Sequence, residues 1–135
     1  GTDGAASNNR LDIFTEMRLA SLLAKGASGD ARVADAFETL RMATLDAARA
    51  LGLEGRIGSI APGKRADLVA VELSALETLP CFDPVSHLAY VAGREQVTDV
   101  WVNGEARVEG RKLVGIDERE LQDKATWWKQ RIANP

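Results

Sequence analysis

The feature that most constrains this chain is a change of texture at Gly52. Before it, apolar residues recur at helical spacing. After it, Gly55, Gly58, Pro62 and Gly63 destroy that period, and short apolar runs between turn residues take over. Such a sequence gathers helices in one part and strands in another. The boundary falls between Leu53 and Arg56, dividing the chain into residues 1–55, 56–116 and a closing segment, 117–135.

Three helices are predicted before the boundary. The first runs from about Asn9 or Arg10 to Lys25, with Ile13, Met17, Ala20 and Ala24 on one stripe, Asn9 as its cap and Gly26 as its stop. The second spans about Ala31 to Ala43 and buries Val33, Ala36, Phe37 and Leu40. The third starts at the N-cap Thr44, carries Leu45, Ala48 and Leu51, and ends at Gly52. Ahead of all three, Gly1-Thr2-Asp3 reads as the end of a strand turning through Gly4 to Asn9 into a helix, the place where α/β enzymes carry their chemistry.

Beyond the boundary, Ala66 to Leu73 has the continuous apolar character of a strand covered on both faces, and His87 to Val91 is a second strand candidate. Val97 to Val102, Asn103-Gly104 and Glu105 to Val108 form a hairpin, because Asn-Gly supplies the two positive φ angles of a type I′ turn. A turn at Glu109-Gly110 lets Arg111 to Val114 extend the sheet. Asp117 with Glu120 forms a capping box for a last helix striped by Leu121, Ala125, Trp128 and Ile132.

Composition narrows the function classes. A length of 135 residues with 45% apolar content supports one packed domain. The net charge of −3, with Lys and Arg scattered, leaves no footprint for nucleic acid or an anionic membrane. One cysteine excludes an internal disulfide and fits the cytoplasm. No apolar run approaches the roughly 20 residues of a membrane span, and no signal-peptide order is visible at the start.

Individual motifs are weighed on context. Gly58-Ser59-Ile60-Ala61-Pro62-Gly63-Lys64 has P-loop spacing, but Arg65 stands where a Ser or Thr is needed and a strand follows instead of a helix, so it reads as a tight turn. His87, the only imidazole, reads as a structural residue, and Cys81 has no base to activate it. Ser7 lacks a nucleophile-elbow turn and supports its own loop. Trp101 and Trp128 read as packing residues, whereas Trp127, one position off the stripe, suits a neighbouring surface. Asp3 remains open between a turn residue and a catalytic carboxylate.

Taken in order, Gly1 to Asn9, Leu11 to Arg18, Ile57 to Val69 and Thr98 to Gly104 resemble the C-terminal part of the amidohydrolase superfamily. The branch most similar contains the S-adenosylhomocysteine/methylthioadenosine deaminases and the triazine chlorohydrolases. The resemblance implies the end of a metal-dependent (β/α)8 barrel (last strand, loop and helices), the C-terminal share of a small β-sandwich, and a terminal helix. Asp3 matches the aspartate that ends the eighth barrel strand, which in that family binds the catalytic metal and handles protons for the attacking water. The histidine ligands, a His-x-His pair on the first strand and single residues on the fifth and sixth, have no counterpart in a chain with one histidine. The Asp83 to His87 segment is similar to one passing near the barrel, with no ligand role carried onto His87.

The implied activity is removal of an amino group or chloride from a nitrogen heterocycle, such as an adenosine derivative or triazine, by water activated on one divalent ion, zinc or iron. Asp3 would act as base and then as proton shuttle to the leaving group. The isolated chain is expected to be inactive and to hold no metal tightly, since one carboxylate cannot retain a zinc ion. Apolar helix faces left open favour association, so a homo-oligomer is expected. The competing expectation is a free-standing, non-catalytic binding or structural module.

Overall fold

The computed structural model describes residues 1–133. Helices α1 (Ile13–Ser28), α2 (Ala36–Ala43) and α3 (Leu45–Ala50) precede strand β1 (Leu68–Val71). Helix α4 (Pro84–Tyr90), strands β2 (Val97–Val102), β3 (Glu105–Glu109) and β4 (Lys112–Leu113), and helix α5 (Glu118–Ala133) follow. The change of texture at Gly52 is thus a change of architecture, with helices α4 and α5 returning beyond it.

Two capping residues three positions apart could start α1, and the structure selects Asp12 in place of Asn9. Asp12 accepts from the Phe14 and Thr15 amides, and its backbone is extended (φ −136°), as an N-cap requires. The helix also runs through Gly26 to Gly29, whose left-handed φ of 69° closes it. Helix α2 starts later than predicted, because Asp35 and Glu38 form a reciprocal capping box. Its buried residue is Thr39; Val33 and Phe37, expected inside, lie at the surface with Phe37 64% exposed.

The strand predicted at His87 to Val91 is helical instead. Asp83 accepts from the Val85 amide and Pro84 occupies the first turn, so Asp-Pro is a helix start here. The opening residues form no strand either: residues 1–12 are loop, with a turn over residues 5–7. A barrel strand requires a neighbour to pair with, and none is present among the described residues.

The sheet is antiparallel in the order β1-β2-β3-β4. Both tight turns carry paired positive φ angles, Asn103 (54°) with Gly104 (82°), and Gly110 (52°) with Arg111 (67°), which matches strand twist. Asp67 accepts from the Asn103 amide at 2.6 Å and Asp99 from the Gly110 amide at 3.0 Å, so a carboxylate braces each turn. Strand β1 was expected to be covered on both faces, yet Val69 is 56% exposed.

Helix α2 packs on α1, α3 and α4. The buried apolar side chains among the described residues are small in number: Met17, Ala48, Ala89 and Ala92. Polar groups fill the helical interface. The Ala34 carbonyl, in a left-handed backbone (φ 49°), accepts from the Ser21 hydroxyl, Lys25 Nζ and the Thr39 hydroxyl, while Ser21 also bonds the Tyr90 hydroxyl at 2.9 Å. A cavity of about 580 Å³, lined by residues including Phe14, Met17, Ala48, Ile57, Leu68 and Leu88, separates the helices from β1.

The glycine-rich segment meets α3 at one point. A Cβ on Gly58 (φ 84°) would come within 2.7 Å of Ala48 Cβ and 3.0 Å of the Leu45 Cα, so only glycine fits. Lys64 folds back to donate to Ile57 O (3.2 Å) and Ser59 Oγ (2.7 Å), which occupies the lysine of the P-loop-like motif with its own loop.

Candidate functional site

Asp3 lies on the opening loop with a left-handed backbone, φ 60°, which aspartate tolerates better than most residues. Its Oδ1 accepts from the Gly4 amide at 2.7 Å. The Ser7 hydroxyl and the Gly4 N–H hold this exposed carboxyl below the usual aspartate range. Asp3 is therefore ionised at neutral pH.

The loop around it is closed by Ser7, as expected from the sequence, and by Asn8 and Arg10, which the sequence did not single out. The Ser7 and Asn8 amides both donate to Gly4 O at 3.0 Å. The Asn8 side chain reaches back across the loop: Nδ2 donates to Thr2 O (2.8 Å) and to Glu16 Oε1 (3.0 Å), and Oδ1 accepts from the Arg10 amide (2.9 Å). Arg10 in turn donates to Asp12 Oδ2 (3.1 Å) and to Glu95 Oε1 (3.0 Å), which ties the loop to the turn before β2. Arg18 adds a second tie, from its guanidinium to Ala92 O at 2.8 Å.

Asp12 anchors this arrangement. Burial works against its ionisation, but the Thr15 hydroxyl, the Thr15 and Phe14 amides and the Arg10 guanidinium outweigh burial and lower its pKa. An Asn at position 8 followed by capping residues signals a loop closing on a helix. No local signal exists for Arg10 with Glu95, which are far apart in the chain.

The other singled-out residues stay apart from Asp3. His87 Nδ1 faces Asp83 O at 3.2 Å within its own helical turn, and Cys81 is a half-buried free thiol. Trp101 is half-buried on β2. Trp127 and Trp128 stack edge to face on α5 with centroids 4.7 Å apart, and Trp128 remains 55% exposed in place of the expected packing. Among the described residues no three His, Cys, Asp or Glu side chains converge to hold a metal ion. An exposed, ionised carboxylate is chemically competent as one ligand of a divalent ion but not as a whole site. No helix among them is long and apolar enough to cross a membrane.

Residues 1–107 match the amidohydrolase family. A 5-methylthioadenosine/S-adenosylhomocysteine deaminase from Teredinibacter turnerae is 42% identical over 132 residues, 98% of this chain and 30% of that protein. An adenosine deaminase from Xanthomonas campestris, crystallised with bound zinc, superposes with a TM-score of 0.96 and 53% identity, over 100% of this chain and 31% of its own. An atrazine chlorohydrolase from Arthrobacter aurescens, complexed with zinc, gives a TM-score of 0.80 and 28% identity over 91% of this chain and 27% of its own. The chain spans about 30% of the length of the relatives it matches. With the family's pattern running through most of its length and its fold retained, the chain belongs to the amidohydrolase family.

Proposed function

We propose that this chain is the C-terminal portion of a metal-dependent hydrolase that deaminates a nitrogen heterocycle, an adenosine derivative in the first instance, with dechlorination of a triazine as the other chemistry of its relatives. Residues 1–55 then close the barrel, 56–116 contribute to the sandwich and 117–135 form the terminal helix. The observation that carries this reading is Asp3, an exposed carboxylate held ionised in a fixed loop with no companion ligands around it among the described residues. Its companions would then lie outside this chain, which spans about 30% of the length of its relatives.

The open surfaces support the same reading. Strand β1 ends the sheet with one edge unpaired among the described residues, and Leu22, Leu23, Phe37 and Leu51 are all more than half exposed. Surfaces of this kind are ordinarily covered.

Asp3 would hold a divalent metal, zinc as in the crystallised relatives. When bound, the ion supplies water activated for attack at neutral pH. The residues of this chain do the rest of their share through charge and geometry. The Gly4 and Ser7 hydrogen bonds keep Asp3 anionic, which suits coordination and makes the free carboxylate a weaker base. Asp3 would take a proton from the attacking water and deliver it to the departing group.

In the full-length protein, Asp3→Asn is expected to lower deaminase kcat/KM on 5′-methylthioadenosine by about 10³-fold and to reduce bound zinc. The 135-residue chain alone is expected to show no turnover. Retention of both zinc and turnover by Asp3→Asn would sink the reading.

A further inference from the structure

We propose that Asn8 is the positioning residue that fixes the Asp3 carboxylate, an inference that rests on the reading of Asp3 as a ligand. Asn8 grips the loop on both sides of Asp3. Its side-chain amide takes Thr2 O at 2.8 Å, and its backbone N–H takes Gly4 O at 3.0 Å. Fixing the Thr2 carbonyl fixes the peptide plane about which the Asp3 φ is measured, and that φ, 60°, is one a non-glycine residue leaves when released.

The grip is anchored. The second Asn8 Nδ2 hydrogen goes to Glu16 Oε1 at 3.0 Å, on the first turn of α1, and Oδ1 accepts from the Arg10 amide at 2.9 Å. Both amide hydrogens and the carbonyl oxygen are thus engaged. A flipped amide would set Oδ1 against Thr2 O and the Glu16 carboxylate, two acceptors, so the orientation is unambiguous. Asn8 links the carboxylate to the helix start that Asp12 and Arg10 hold against Glu95. Groups that orient a metal ligand without touching the ion commonly change metal affinity or activity by 10- to 100-fold, about the effect assigned here.

The chemistry separates positioning from simple anchorage. Aspartate at position 8 keeps the shape and still accepts from the Arg10 amide, but it cannot donate to Thr2 O and it repels Glu16. Glutamine at position 16 can donate to that aspartate. The pair Asn8→Asp with Glu16→Gln therefore restores the tie to α1 while leaving Thr2 O ungripped.

The test uses the full-length protein, with zinc affinity from chelator competition, kcat and KM, and thermal unfolding. Asn8→Ala and Asn8→Asp should each weaken zinc binding and lower kcat by about 10- to 100-fold with KM little changed. The N8D/E16Q double variant should recover the melting temperature of the parent and neither of the other two quantities. Recovery of zinc affinity and kcat by the double variant would overturn the proposal, as would single variants within two-fold of the parent. Asp3→Ala is the parallel control: if it keeps zinc and turnover, the function reading itself fails, whereas its loss beside a silent Asn8→Ala removes only the role of Asn8.

Discussion

Helices α1 and α5 are both 16 residues long, and both carry an apolar stripe with an aspartate at the N-terminus. They end up in different circumstances. Helix α1 buries Met17 and Ser21 and sends Arg18, Ser21 and Lys25 to named backbone carbonyls, whereas α5 buries nothing among the described residues and leaves Leu121, Trp128 and Ile132 between 47% and 74% exposed. An apolar stripe says that a helix will pack. Polar side chains aimed at particular acceptors say where.

The contrast can be broken most strongly at Ser21. Ser21→Ala removes a fully buried hydroxyl, takes one of three donors from the Ala34 carbonyl and leaves the Tyr90 hydroxyl without that partner, and is expected to cost about 2–3 kcal/mol in urea unfolding. A loss below about 0.5 kcal/mol would show that the polar address is dispensable. Next comes Asp12→Ala, which removes the cap and the partner of Arg10, for about 1–2 kcal/mol by the same measurement.

Acid titration sharpens the same point more gently. Because the folded pKa of Asp12 is lowered, its contribution is complete above the unfolded aspartate value of about 4 and is lost as pH falls through the lower folded value. Stability should therefore decline more steeply below pH 4 in the parent than in Asp12→Asn, which lacks that titration.

The smallest effect belongs to α5. Trp128→Ser in this 135-residue chain should change stability by less than about 0.5 kcal/mol, and the α5 amides should exchange far faster than those of α1, since a lone helix of this length is marginal in water. Strong protection of α5 would contradict its exposure.

These two helices also explain what could be read from sequence alone. The Asn103-Gly104 hairpin was legible because its determinant is two consecutive φ angles, a wholly local matter. Helix α4 was misread as a strand because five residues from His87 carry no decisive period, and the decisive signal, Asp83-Pro84, lies just upstream. The start of α1 was displaced because Asn9 and Asp12 are both competent caps, and Asp12 is favoured by Thr15 and Arg10 together. Asp3 was legible as a candidate from its neighbours in sequence. The brace through Asn8, Arg10 and Glu95 was not, since half of it depends on a contact between residues 85 positions apart.

Gly58 gives the textural boundary a different meaning. The stretch after Gly52 looks like a linker, yet at Gly58 its backbone rests on Ala48 with no room for a methyl group. The glycine-rich loop is consequently seated on α3 at that spot and is not a free tether, so any side chain at position 58 must push it off the helix.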